Sequence, residues 1–411
     1  MNDERTSRVR DILSNRKFLF FWISNSLADI GDSLHLVALG YWIMISSSNV
    51  LDLSMLMVAK AVPNIIFAPL AGTLADRINK VKIIRATSIL QSLIVLLIIY
   101  FVFNDPSGES VYIIIGLTAL IGLFGAFSNP SRQSLLVRLV EKKDIPSATA
   151  FHRLSTNIIM VSAPMITGVL VAATSSAVTL FIDVILLLLS ALAISFIKVE
   201  MPQNNISKKL DGFWFEFKEG IRFIYKTPPL NSLIILNNTL NIFGVAQGIL
   251  MSAVAINIWK VSSVGYGLVQ AAFPIGMVLG AAIMIKLPNL KMRGKWICIF
   301  YAIAGVFSVV VPFFDNLLIA IPLLAIDGAF TVMGALLVNI LFRVYIDPDM
   351  QGRAFGIYGS LAAVASPLGA LTGGIIADTT GVFEGIIGIS IAFSIVPIIA
   401  YLFSPKIRSI N

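Results

Sequence analysis

The sequence predicts an all-α integral membrane fold of twelve transmembrane helices arranged as two pseudo-symmetric six-helix bundles. Three observations lead there. Of 411 residues, 57% are hydrophobic and only 13% charged, with a mean hydropathy of +0.90, a balance that a water-facing surface does not permit. Apolar runs long enough to cross a bilayer recur along the whole chain, each needing about 20 residues. The second half also repeats features of the first.

The runs, bounded by Gly, Pro and charged residues, place spans at 18–45, 53–73, 83–103, 111–135, 148–172 and 177–197. The second set falls at 231–258, 264–286, 296–313, 317–342, 354–377 and 383–403. This gives an N-terminal tail at 1–17, a first bundle at 18–197, a linker at 198–229, a second bundle at 230–403 and a tail at 404–411. No room remains for a large soluble domain. The first apolar stretch follows a basic tail without a small-residue cleavage signature, so it reads as a retained helix.

All Lys and Arg residues except Lys60 and Lys260 fall in the tails, in alternate loops, or at the edge of a span. Arg132 belongs to this set as a residue of the loop after span four. One-sided basic charge places both termini and the linker in the cytoplasm. It accounts for the net charge of +8 without nucleic acid, and lets the loops touch anionic membrane lipid. One cysteine, Cys298, excludes an intramolecular disulfide. With only His35 and His152 beside it, no metal site or cofactor is expected.

In the linker, Phe213, Phe217, Ile221 and Ile224 recur at helical spacing beside basic residues, which suggests an amphipathic helix lying on the membrane surface or against a partner. The halves echo each other at an offset of about 204 residues. Ser147-Ala148-Thr149-Ala150-Phe151 matches Gln351-Gly352-Arg353-Ala354-Phe355, and Ala163-Pro164 with Gly168 matches Ser366-Pro367 with Gly373 and Gly374. A duplicated six-span unit around a cytoplasmic linker suits a carrier whose halves rock about a midplane site, for which a monomer is sufficient.

Charged residues within a span are costly and tend to face a cavity. Asp29, Asp32 and His35 fall within about a 120° arc of the first span at 100° per residue, with Asn25 adjoining. Two carboxylates one turn apart share the cost of ionisation, so one of them can exchange a proton near neutral pH. Asp32, after Gly31, can equally be a structural hydrogen-bonding residue, and His35 a satisfied polar group. Lys60 in span two either snorkels to the surface or pairs with Asp32 or Asp29, and pairing would hold that carboxylate ionised and oppose proton exchange. Asp183 in span six and Asp327 in span ten each stand alone; Asp327, nearer mid-span, is the better cavity residue. Asn237, Asn238, Asn241 and Gln247 line span seven as a cavity wall or as interhelical hydrogen-bonding groups.

Between spans two and three lies Gly72-Thr73-Leu74-Ala75-Asp76-Arg77-Ile78-Asn79-Lys80-Val81-Lys82. It resembles the major facilitator motif G-x-L-a-D-r-x-G-r-k, with Asn79 in place of the second glycine. The segment Phe127-Ser128-Asn129-Pro130-Ser131-Arg132-Gln133-Ser134-Leu135-Leu136, with Glu219-Gly220-Ile221-Arg222-Phe223 and Gly352-Arg353-Ala354-Phe355-Gly356, resembles the drug and siderophore exporters of that superfamily, the macrolide-efflux-like drug:H+ antiporter type 3 branch. The resemblance covers essentially the whole chain. It implies a secondary active, proton-coupled exporter of amphipathic small molecules in a bacterial cell membrane, and a gating role for Gly72, Asp76, Arg77 and Lys80.

Ala163-Pro164-Met165-Ile166-Thr167-Gly168 looks like a reduced form of the superfamily's antiporter pattern. Pro164, Gly168, Pro367 and Gly373 therefore read as bending and packing positions. No G-x-x-x-x-G-K-[ST] loop points to ATP hydrolysis and no H-E-x-x-H to a membrane enzyme. The alternative within the same fold is a lipid or lysophospholipid flippase.

Overall fold

A computed structural model describes residues 9–105, 108–198, 230–287, 290–346 and 348–408. The amphipathic helix expected in the linker lies outside these residues. The described chain consists of helices, with no strand among them. Twelve are long: α1 (Arg16–Ser46), α2 (Val50–Arg77), α3 (Lys80–Asn104), α4 (Val111–Leu139), α5 (Ile145–Ala173) and α6 (Ser176–Ser195) in the first half. In the second half they are α7 (Leu230–Ala253), α8 (Ser263–Ile285), α9 (Arg293–Val310), α10 (Leu317–Tyr345), α11 (Pro348–Thr380) and α12 (Val382–Phe403).

Eleven of the twelve are long and apolar enough to cross a membrane. The exception is α1, whose 31 residues extend about 46 Å at 1.5 Å per residue. Its length suffices for a hydrocarbon core of about 30 Å, but Asn25, Asp29, Asp32 and His35 interrupt its apolar run. The expected tails are partly helical: Val9–Ser14 precedes α1 and buries Ile12, while Pro405–Arg408 follows α12 and buries Ile407.

Helix starts are set by side-chain caps that satisfy otherwise unpaired backbone N–H groups. Asn15 caps α1 by accepting from the N–H groups of Lys17 and Phe18 at 3.0 and 3.3 Å, and its amide donates to the Leu139 carbonyl at 2.8 Å, tying α1 to the end of α4. Asn79, where the superfamily motif has glycine, caps α3 by accepting from Val81 N–H at 2.9 Å. Ser175 and Asn316 cap α6 and α10 in the same way.

The chain divides into two compact units. One comprises residues 1–48, 59–202 and 262–271; the other comprises 49–58, 203–261 and 272–411. Residues 49–58 thus belong to the second unit and residues 262–271 to the first. In the first unit α6 packs on α1 and α3, α1 on α5, and α3 on α4. In the second, α12 packs on α7 and α9, α7 on α11, and α9 on α10. The same pairing six helices later is the structural form of the sequence repeat.

Exposed positions on these helices are largely apolar, as at Phe103, Ile285, Leu318 and Phe403, a surface suited to lipid. Close helix approach comes from small residues. In the first unit a Cβ on Gly122 of α4 would strike the Lys60 carbonyl of α2, and one on Gly168 of α5 would lie 2.5 Å from the Ser263 carbonyl at the start of α8. In the second, a Cβ on Gly276 of α8 would strike the Ala325 carbonyl of α10, and one on Gly373 of α11 would lie 2.9 Å from the Ala246 carbonyl of α7. Pro164 and Pro367 lie within α5 and α11.

Because Gly276 meets backbone, Gly276→Ala is expected to lower thermal stability in detergent by about 1–3 kcal/mol through overpacking. Gly116→Ala on α4, with nothing within 4 Å, is the control: removing a helical glycine is expected to leave stability unchanged or raise it by about 0.5–1 kcal/mol. Equal melting temperatures for the two variants would refute the close-approach account.

Candidate functional site

The first unit holds most of the intramembrane ionisable residues. α1 supplies Asn25, Asp29, Asp32 and His35, each three or four residues, about one helical turn, from the next. α2, α4, α5 and α6 supply Lys60, Arg132, Thr156 and Asp183.

Lys60 Nζ lies 2.9 Å from Asp32 Oδ1. The pair is half open, with 56% of the Asp32 side chain and 21% of the Lys60 side chain accessible. Asp32 is thus the partner Lys60 takes, whereas Asp29 accepts a hydrogen bond from Thr156 Oγ1 of α5 at 3.2 Å. The carbonyl of Lys60 is the group against which Gly122 of α4 packs. Close packing of α4 on the Lys60 backbone therefore helps position its ammonium.

His35 and Asp183 form the closed end of the cluster. Nδ1 lies 3.4 Å from Asp183 Oδ2, and the side chains are only 2% and 4% exposed. The contact is an ion-pair distance only, since neither His35 ring nitrogen has a hydrogen-bond partner among the described residues. Asp183, expected to stand alone, therefore has a partner 148 residues away in sequence. Gly31 makes room for it: a Cβ there would strike Asp183 Oδ1. The Gly31-Asp32 dipeptide thus has one residue admitting the Asp183 carboxylate and the next engaging Lys60.

Arg132 corrects the sequence reading. It is not a loop residue; it lies inside α4, seven residues before Leu139. Its side chain is half-buried and turned into the bundle, where it donates to Asn25 Oδ1 of α1 and to Ser128 Oγ at 3.0 Å. It reaches Ser88 Oγ of α3 and Ser190 Oγ of α6 at 3.5 and 3.4 Å. Ser190 in turn exchanges hydrogen bonds with Ser24. A planar guanidinium thus bridges four helices through neutral acceptors, and Arg132 makes no ion pair among the described residues. The clue in the sequence was its position in a continuous helical pattern through Pro130, which the count of one-sided basic charge obscured.

Asp327 lies apart from this cluster, in the second unit. It is buried on α10, accepts a hydrogen bond from Thr331 Oγ1 at 3.2 Å, and sits beside Gly328, which packs against the Phe273 carbonyl of α8. Of the polar groups of α7, Asn237 donates to Tyr358 at 2.9 Å and accepts from Tyr301 at 3.0 Å, and Gln247 donates to Ser390 at 3.1 Å. For these two, interhelical hydrogen bonding is the arrangement seen. Of Gly72, Asp76 and Arg77 the structure describes the backbone alone, the last turns of α2; Lys80 begins α3 and is buried.

A duplicated twelve-helix chain with an ionisable cluster inside one unit is, by class, a membrane transporter. Residues 11–410 match the family described as transmembrane secretion effector, and the chain belongs to this family of the major facilitator superfamily. It is 24% identical over 400 residues to the multidrug efflux pump Tap of Mycolicibacterium fortuitum, covering 93% of this chain and 94% of that protein. It is 19% identical over 371 residues to macrolide efflux protein A of Streptococcus pyogenes, covering 89% and 90% of the two chains. It is also 22% identical over 398 residues to the staphyloferrin A transporter of Staphylococcus aureus, covering 95% and 96%. Among solved structures, a bacterial homologue of the iron transporter ferroportin superposes with a TM-score of 0.72 at 12% identity, covering 96% of this chain and 99% of that one. The resemblance to drug and siderophore exporters read from the motifs is thus borne out. The chain is a multi-pass secondary transporter and not an enzyme.

Arg132→Lys is expected to lower thermal stability by about 1.5–3 kcal/mol, the value of a charge-assisted hydrogen bond, because one ammonium cannot reproduce the planar set of donors. Asn25→Ala on the Arg132→Lys background is expected to add less than it does alone. Additive losses in the double-mutant cycle would refute the bridge.

Proposed function

We propose that this chain is a proton-coupled exporter of amphipathic or hydrophobic small molecules, working by alternating access in a bacterial cell membrane with both termini in the cytoplasm. The observation that carries the proposal is the Asp32–Lys60 pair at 2.9 Å beside Asp29 on α1. Two carboxylates and an ammonium held on spanning helices are expensive to keep without a function. The pair is partly accessible, so a proton reaching Asp32 would release Lys60, and loss of that proton would restore the pair. Such an exchange is a two-state electrostatic element of the kind that can bias a conformational equilibrium.

The energy supply fits. For a neutral cargo exchanged for one proton, one charge crossing 100 mV provides about 2.3 kcal/mol, enough for roughly a 50-fold concentration gradient at 1.4 kcal/mol per decade; for a monovalent cation the exchange is electroneutral and the pH gradient supplies the energy. The efflux names of the relatives support an outward direction, and the one-sided basic residues support the topology. The turn from Gly72 to Lys80 and the Pro164, Gly168, Pro367 and Gly373 positions supply a gating corner and close, bendable helix contacts on this reading.

In a bacterial host lacking its own pumps, the wild-type protein is expected to lower accumulation of a macrolide or a lipophilic cationic dye, and a protonophore to abolish the effect. Asp32→Asn, Asp29→Asn and Lys60→Gln are each expected to reduce export at least about tenfold, the equivalent of 1.4 kcal/mol, with the protein still present in the membrane. Normal, protonophore-sensitive export by Asp29→Asn and Asp32→Asn would overturn the assignment to α1. Translocation of labelled lysophospholipid without drug export would favour the flippase instead.

A further inference from the structure

The charges of the cluster do not balance without a proton. Asp29, Asp32 and Asp183 bring three carboxylates, against two permanent cations, Lys60 and Arg132. Lys60 is committed to Asp32 at 2.9 Å, and Asp29 accepts a hydrogen bond from Thr156, while Arg132 lies on α4 of the same unit. Asp183 is left with His35 alone. A carboxylate left without a cation among buried side chains inside a membrane is strongly disfavoured, and one bound proton neutralises the set. We propose that the His35–Asp183 pair is the site that holds this single exchangeable proton, on the ring nitrogen or on the carboxylate oxygen.

The surroundings support that location. Both side chains are almost wholly buried and 3.4 Å apart, so a state with His35 neutral and Asp183 ionised would leave a carboxylate without a cation in apolar surroundings. The space for the carboxylate exists because residue 31 is glycine. Asp32 precedes His35 by about one turn of α1 and is more than half open, which places an accessible carboxylate next to the closed pair as a relay. His152 of α5 is partly buried with its ring 6.2 Å from that of Phe21, and α3 carries its cations Lys80, Lys82 and Arg85 in its first two turns. The transfer balances simply: a proton leaves the pair for Asp32 and the cluster loses one positive charge when Asp32 passes it on.

The meaning of this proton for export rests on the coupling reading above, but its presence does not, so the two are tested separately. With only two histidines in the chain, isotope-labelled histidine in the His152→Gln variant gives a single ring, that of His35, observable by NMR in lipid nanodiscs. Infrared difference spectra report the protonated carboxyl. The expected result is that the His35 ring signal and one carboxyl band change together over a single pH interval, and that Asp183→Asn removes the band and alters the ring response. Should Asp183→Asn not fold, His35→Gln serves, with the carboxyl band expected to change. Separate intervals for ring and carboxyl, or no response of either between about pH 5 and 8, would overturn the proposal. A joint response in a protein that exports nothing would leave the proton site standing and refute the export reading.

Discussion

The constraint on which the rest of this structure depends is the cost of charge inside an apolar bundle. Each ionisable residue on the inner helices of the first unit has to be neutralised, hydrogen-bonded or left partly open to water, and the local architecture follows from how that is done. Lys60 takes Asp32, and the Lys60 backbone is fixed by the approach of Gly122. Arg132 spends its donors on Asn25 and three serines contributed by four helices. Asp183 occupies the space left by Gly31 and meets His35. None of these arrangements is a property of one helix; each needs two or more to be packed first.

The first unit is therefore specialised while the second is not, despite their common plan. The helix pairings repeat six helices apart, but the polar groups of the second unit form the neutral Tyr301–Asn237–Tyr358 and Gln247–Ser390 contacts and the Thr331–Asp327 hydrogen bond. Duplication preserved backbone packing, carried by Gly122 in one half and Gly276 in the other. Charge diverged, in keeping with the assignment of proton coupling to the first unit.

How much of this could be read in the sequence follows from the range of each interaction. The fold was legible because hydropathy, one-sided basic charge and the repeat are local or periodic signals. The α1 cluster was legible because Asn25, Asp29, Asp32 and His35 share a helix face fixed by the 3.6-residue period. The partners were not: His35 and Asp183 are 148 residues apart, and Lys60 had two carboxylates within reach, between which only packing chooses. The position of Arg132 was not legible because a cation near the end of an apolar run satisfies the topology rule whether or not it turns inward. Asn79 showed the opposite case, where a departure from the family motif turned out to supply a helix cap.

The central claim is that the cluster on α1, α2 and α6 links proton movement to export. The most direct measurement is the simultaneous recording of efflux of a lipophilic cation and uptake of protons by the purified protein in liposomes under controlled voltage. A cluster that takes up one proton per cycle predicts a fixed ratio of one proton per molecule exported, the same at every imposed voltage. Efflux that proceeds with no accompanying proton movement, or with a ratio that drifts with voltage, would contradict the account.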